Sequence, residues 1–246
     1  LCRNKYFILI TLAFAVIYTS LGLTGGSRIY YAKYVLGDEM LNSTMTMFNY
    51  IPTILTIMLI PVFTKRFGKI KALFVGFLFY AAGLVLEIAG PVNLPMIYTG
   101  LVLQGIGHAA LYSCLFAIVG DVVDYSEWKD GIREEGITYS VTSFGQKIGT
   151  GLGTAALGWI LAAGHYDGTA AVQSASAIFA IKGLFLYLPL VITVIVLIIW
   201  YLFMVNFKSY ILFFKGRTSF PAFLCGKVFC IYRTCHRQLL PNAWRL

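Results

Sequence analysis

The chain has 246 residues, of which 59% are hydrophobic and 12% charged, and its mean hydropathy is +0.80. That composition excludes a soluble globular domain and points to an integral membrane protein. The net charge of +9 belongs to the end of the chain: residues 207–246 hold seven basic side chains and no acid, leaving 12 basic against 10 acidic groups in residues 1–206. The body has no basic face, so nucleic acid is not an expected partner.

Six runs are long and apolar enough to cross a bilayer, at 6–23, 41–63, 72–89, 96–119, 137–163 and 183–205. The chain starts at Leu1 and shows no small-residue cleavage site after its first run, so it reads as part of something longer, without a signal peptide. Whereas the loops on one side of the spans carry Arg28 and Lys33, partly offset by Asp38 and Glu39, then Glu87 and Asp167, the other side holds Arg3 and Lys5, then Lys65, Arg66, Lys69 and Lys71, then Lys129 and Arg133. By the positive-inside rule that side is cytoplasmic, and both ends of the six-helix unit are expected there.

The first run ends in a turn rich in tyrosine, Tyr30, Tyr31 and Tyr34, expected to anchor at the outer interface. Asn49, Pro52 and Pro61 interrupt the second, as prolines do where membrane helices kink. The loop at 64–71, TKRFGKIK, combines a turn glycine with cations able to meet helix C-termini or acidic headgroups. Glu87 is expected near the outer end of the third run.

The fourth run carries Gln104, His108, Tyr112 and Ser113. Tyr112 lies nine residues before Asp121, about 13 Å along a helix. A tyrosine at that depth either stacks on a sugar ring or packs in the core with its hydroxyl satisfied. His108 is read as a hydrogen-bonded packing residue.

The segment GDVVDYSEWKDGIREEGITYSVTSFGQK, residues 120–147, holds six of the ten acids. It is read as a polar hinge followed by a second helix from Ile137. Lys147 is then ten residues into that helix, roughly 15 Å deep in a hydrocarbon core of about 30 Å. An ammonium group there marks a functional site unless it snorkels or pairs structurally. Ser140, Ser143, Lys147, Thr150 and Thr154 recur at helical spacing as one polar stripe. Gly145, Gly149 and Gly153 form a second stripe, suited to close helix contact.

The three histidines are scattered, and neither a phosphate loop nor metal-ligand spacing is present, so an enzyme is not expected and no metal or organic cofactor is implied. Cys225, Cys230 and Cys235 match no zinc or redox motif. Polar stripes near mid-membrane with a charged hinge fit half of a transporter better.

Several motifs carry a resemblance over about residues 4–201: Tyr31-Ala-Lys-Tyr-Val-Leu-Gly37, Lys65-Arg-Phe-Gly68, Asp121-Val-Val-Asp-Tyr125, Arg133-Glu-Glu-Gly136, Tyr139-Ser140 and Gln146-Lys147. Together they resemble the glycoside-pentoside-hexuronide:cation symporters, the melibiose permease-like family of the major facilitator superfamily. The resemblance implies an all-α membrane protein, with six transmembrane helices forming the C-terminal half of a two-half transporter. It also implies that Lys147 contacts the sugar or neighbouring carboxylates, with Thr142 and Ser143 bonding hydroxyls and Tyr112 beside the sugar. Asp121, Asp124, Arg133 and Glu135 match the family's cytoplasmic charge network, expected to latch the inner gate. The coupling cation, sodium or proton, is expected on the missing N-terminal half, which is thus a partner along with the sugar and the lipid bilayer of the cell membrane.

Residues 207–246 depart from the family, either as a basic stretch held to anionic lipid or as sequence foreign to the body. The functional expectation is secondary active transport of an oligosaccharide, glycoside, pentoside or hexuronide by residues 1–206. The competing readings are a major facilitator transporter of another solute, or a non-transporting membrane scaffold.

Overall fold

The computed structural model describes residues 5–130, 135–170 and 172–198. Arg133 and the tail at 207–246 lie outside the described residues. The described chain is helical, in the order α1 (Lys5–Tyr34), α2 (Leu41–Phe67), α3 (Lys69–Ala89), α4 (Leu94–Asp130), α5 (Glu135–Ala163) and α6 (Ala175–Ile198). A π-helical turn at Gly183–Tyr187 lies within α6.

By length and composition, α2, α6, Lys71–Ala89 of α3 and Leu94–Asp121 of α4 can each cross a membrane. The 30 residues of α1 and 29 of α5 reach about 45 and 43 Å, also longer than the hydrocarbon core of about 30 Å. The polar stripe of α5 is what lowers its hydropathy.

Two helices outrun their predicted ends. The acidic segment after Gly120 is not a loop hinge at its start, because α4 continues through it to Asp130, 37 residues in all. At about 55 Å α4 is longer than the bilayer core is thick, and from Asp121 to Asp130 it meets no proline or glycine that would stop it. Likewise α1 runs on through Arg28 to Tyr34.

Most of the packing is pairwise, α3 along α4, α1 along α5, and α2 on α4. Glycines set the closest approaches. A Cβ on Gly149 would collide with the carbonyl of Ala15, and one on Gly153 with that of Thr19. From the other side, a Cβ on Gly22 would sit 2.8 Å from Thr150 O. The small-residue stripe of α5 is therefore the seam on which α1 lies, as its spacing suggested. Between α2 and α4 the seam is polar: Asn49 Nδ2 donates to Leu101 O at 3.1 Å, and Thr53 Oγ1 donates to Gly105 O at 3.0 Å.

The apolar core falls into two clusters. One gathers Phe14, Tyr18, Phe77, Leu111 and Leu115; the other gathers Leu23, Tyr31, Met45, Leu101 and Phe185. Tyr31 is fully buried, its ring tilted against that of Phe185 at 4.5 Å between centroids, with its hydroxyl donating to Pro91 O. It is thus core, not the interfacial anchor expected from its motif, because α1 continues past it. Tyr34 does meet the α5–α6 loop, its hydroxyl 3.0 Å from that of Tyr166.

Candidate functional site

The helix α5 has two opposed faces. Thr138, Thr142, Gly145, Gly149 and Gly153 are buried, whereas Ser140, Ser143, Lys147, Thr150 and Thr154 are exposed. Lys147 lies twelve residues after Glu135, roughly 18 Å along the helix. Among the described residues no carboxylate forms an ion pair with it. Thr142 belongs to the packed face: five residues from Lys147, it is roughly 140° away around the helix. Its hydroxyl donates back to Thr138 O at 2.9 Å. Ser143 shares the open face with Lys147.

Tyr112 is partly buried on α4 and belongs to a row of rings. The His108 ring lies 5.9 Å from it and 4.9 Å from Tyr80 on the far side. Arg28, Tyr18 and Tyr50 are within electrostatic reach of Tyr112. Among the described residues no hydrogen bond, ion pair or ring contact joins Tyr112 to Lys147 or Ser143; α4 and α5 meet at Gly120 and Tyr139, where a Cβ on the glycine would lie 3.5 Å from the tyrosine hydroxyl.

Between the two apolar clusters runs a polar layer that sequence reading missed. Ser20, Thr24 and Arg28 of α1, Glu87 of α3, and Gln104 and His108 of α4 are all buried. Gln104 Nε2 donates to Glu87 Oε1 at 2.7 Å, and Arg28 Nη1 donates to Thr46 Oγ1 at 3.3 Å. Arg28 and Glu87 are within electrostatic reach of one another. Burying either charge alone costs several kcal/mol, and among the described residues the Gln104 amide satisfies only one of the two Glu87 oxygens, with no ion pair to Arg28. The sequence signal is faint: Glu87 lies inside an apolar run and Arg28 just beyond one, positions that by themselves point to span ends.

The charged cluster around Asp121 gains a member absent from the sequence reading. Lys69 Nζ lies 2.8 and 2.9 Å from the two carboxylate oxygens of Asp121, and 3.1 Å from Ala117 O. Gly68 makes this contact reachable: at φ +87° it turns the chain between α2 and α3 in a conformation costly for residues with a Cβ, and Lys69 follows at once. Asp124 is partly buried on the same helix and Glu135 is exposed at the start of α5. In the α5–α6 loop, Asp167 accepts from the Thr169 hydroxyl at 2.6 Å and the Thr169 backbone N–H at 2.9 Å. These bonds hold its carboxyl below the ordinary aspartate range.

Apolar helices long enough to span a bilayer, packed through glycine seams and enclosing a polar layer, define an all-α multi-pass membrane protein. The family described as MFS/sugar transport protein matches residues 1–206, and the chain belongs to it, within the glycoside-pentoside-hexuronide:cation symporter family of the major facilitator superfamily. The chain is 34% identical over 165 residues to the isoprimeverose transporter of Lactiplantibacillus pentosus, covering 66% of this chain and 34% of that protein. It is 28% identical over 182 residues to the glucuronide carrier protein homolog of Escherichia coli K12, covering 73% of this chain and 40% of that protein. The chain therefore spans roughly a third to two-fifths of the length of these relatives.

Proposed function

We propose that residues 1–206 are the C-terminal six-helix half of a sugar:cation symporter of the cell membrane, with both ends in the cytoplasm. The half carries an oligosaccharide, glycoside, pentoside or hexuronide inward by alternating access, together with an N-terminal half that holds the coupling sodium ion or proton. Lys147 and Ser143 on the open face of α5 bind sugar hydroxyls or a uronate carboxylate. Tyr112 supplies an aromatic face for the sugar ring, and Thr142 supports the helix seam. Asp121 and Asp124, with Lys69, Glu135 and Arg133, form the cytoplasmic latch.

The observation that carries this reading is the division of α5: glycines bind it to α1 on one side, which leaves a lysine and hydroxyls uncovered on the other, deep along a membrane helix. A lysine at such depth is retained where it serves a substrate path or a charge partner. A membrane potential of 100 mV supplies about 2.3 kcal/mol per translocated charge, enough to drive accumulation.

The test is reconstitution. Vesicles holding this chain together with the six preceding helices are expected to accumulate labelled glycoside under a sodium or proton gradient, and Lys147→Ala to abolish it. Vesicles holding this chain alone are expected to show none. Gradient-driven accumulation by the chain alone would overturn the assignment of a half, and uptake indifferent to Lys147→Ala would overturn the site.

A further inference from the structure

Among the described residues, two of the buried side-chain atoms without a hydrogen-bond partner belong to one contact: Glu87 Oε2 of α3 and Gln104 Oε1 of α4. The other polar atoms of the same two groups are already joined, Gln104 Nε2 donating to Glu87 Oε1 at 2.7 Å. Both side chains are fully buried. Glycines of the facing helix hold them close: a Cβ on Gly100 would lie 2.6 Å from Glu87 Cγ, and one on Gly83 2.9 Å from Gln104 Cγ. Each side chain of the pair thus packs on the glycine one turn before the other.

An ionised carboxylate only accepts hydrogen bonds, so it has nothing to offer the Gln104 carbonyl, and two acceptors are left without a donor. A protonated carboxyl donates one O–H. A proton on Glu87 Oε2 therefore gives both orphaned oxygens a partner at once, closing a ring of two hydrogen bonds with the N–H···O bond already present. The terminal torsions of glutamate and glutamine are broad, so the ring closes without a change of rotamer.

Burial favours the same state, because an unpaired charge is far costlier to remove from water than a neutral group. Arg28 of α1 pulls the other way. It lies within electrostatic reach of Glu87, as do Tyr31 of α1 and Tyr80 of α3. Farther out, α2 brings Tyr50 near Arg28, α4 brings His108 against Tyr80, and α6 brings Tyr187 near Tyr31. Among the described residues, however, Arg28 forms no ion pair with Glu87, and its Nη1 is engaged with Thr46 Oγ1 of α2.

We infer that Glu87 is a proton-binding site, a neutral acid whose proton bridges Oε2 to Gln104 Oε1 and locks α3 to α4 in the interior of the chain. The pair stands apart from the open face of α5 and does not depend on a sugar being bound there.

The experiment is infrared spectroscopy of the whole chain in lipid bilayers at neutral pH. The wild type is expected to show the carbonyl stretch of a protonated carboxyl, and Glu87→Gln to lack it. Glutamine closes the same ring with an N–H in place of the O–H, so this variant is expected to melt close to wild type. In Gln104→Leu, which removes the ring partner, the stretch is expected to move to higher frequency, as a carboxyl freed of hydrogen bonds does. A wild type without the band overturns the inference, as does a band that Glu87→Gln leaves unchanged or that Gln104→Leu leaves in place. Should Glu87→Gln not fold, carbon-13 labelling of the glutamates in the wild type decides the same point: the band is expected to shift with the label, and a band that stays where it was counts against Glu87.

Discussion

Gln104 and Glu87 join α4 to α3 through a 2.7 Å hydrogen bond between two fully buried side chains. The bond donates an amide proton to a carboxyl oxygen where little water competes, so its loss exposes the asymmetry of buried polar groups. Leaving a buried acceptor unmatched costs about 1–3 kcal/mol, more for a charged one. Gln104→Leu is therefore expected to destabilise the chain by at least that much in detergent melting experiments. The double variant Gln104→Leu with Glu87→Leu is expected to recover part of the loss, because no orphan acceptor remains. Strict additivity of the two single effects would show that the bond does not couple the helices.

The seam between α1 and α5 gives a comparison within one helix. Gly149 and Gly151 gain equally in helix propensity on becoming alanine, about 0.5–1 kcal/mol. Gly149, however, faces the Ala15 carbonyl, whereas a Cβ on Gly151 would meet nothing within 4 Å. Gly151→Ala is expected to leave the melting temperature level or raise it, and Gly149→Ala to lower it by the equivalent of about 1–3 kcal/mol of overpacking. Equal responses would mean that the seam is not tightly closed.

These two cases show where the sequence was legible. The glycine stripe of α5 was readable because its function depends on spacing within one helix, which the chain records directly. The Gln104–Glu87 bond was not, because it depends on how α3 and α4 rotate against each other, and Glu87 in isolation looked like the end of a span. Arg28 misled in the same way: a cation after an apolar run signals a membrane boundary unless a distant Glu87 and Thr46 are there to receive it. Ser143 and Thr142 looked equivalent as neighbouring hydroxyls, and only the position of α1 separates them.

The Lys69–Asp121 pair is about a third exposed on each side, at 33% and 39% of the side chains. Solvent screening then limits its worth to about 0–1 kcal/mol. A double-mutant cycle with Lys69→Ala and Asp121→Asn is expected to give a coupling within that range, diminished in about 1 M salt, where the Debye length falls to about 3 Å. A coupling above about 2 kcal/mol would instead indicate a desolvated pair. If the pair latches a gate as proposed, its larger effect is expected on the rate of opening at this end of the helices, measured by accessibility of engineered cysteines.

Asp167 provides a pH-dependent contact in the α5–α6 loop. The Thr169 bonds depress its folded-state carboxyl pKa, so the stabilisation they supply is present above the ordinary aspartate value of about 3.9 and is lost as pH falls through the lower folded value. Thr169→Val removes the hydroxyl donor, and NMR titration is expected to show the Asp167 carboxyl moving up toward its ordinary range. An unchanged titration would assign the depression to the backbone N–H alone.

Neighbouring hydroxyls on α5 separate the proposed substrate face from the packed face. The Thr142 hydroxyl is occupied by the carbonyls of Thr138 and Tyr139, at 2.9 and 3.0 Å, on the face covered by α1. Thr142→Val preserves the side chain's shape and β-branching, so it is expected to alter sugar affinity less than about twofold while shifting thermal stability. Ser143 and Lys147 stand on the uncovered face, where one neutral hydrogen bond is worth about 0.5–1.5 kcal/mol and one from a charged group about 1.5–3. With every 1.4 kcal/mol equal to a factor of ten, Ser143→Ala is expected to weaken binding roughly two- to tenfold, and Lys147→Ala roughly ten- to a hundredfold, with melting temperatures close to wild type. Calorimetric titration of glycoside into the reconstituted two-half transporter measures all three. If Thr142→Val proved the most damaging to affinity, the covered face would have to open during transport, and the seam with α1 would become the moving part.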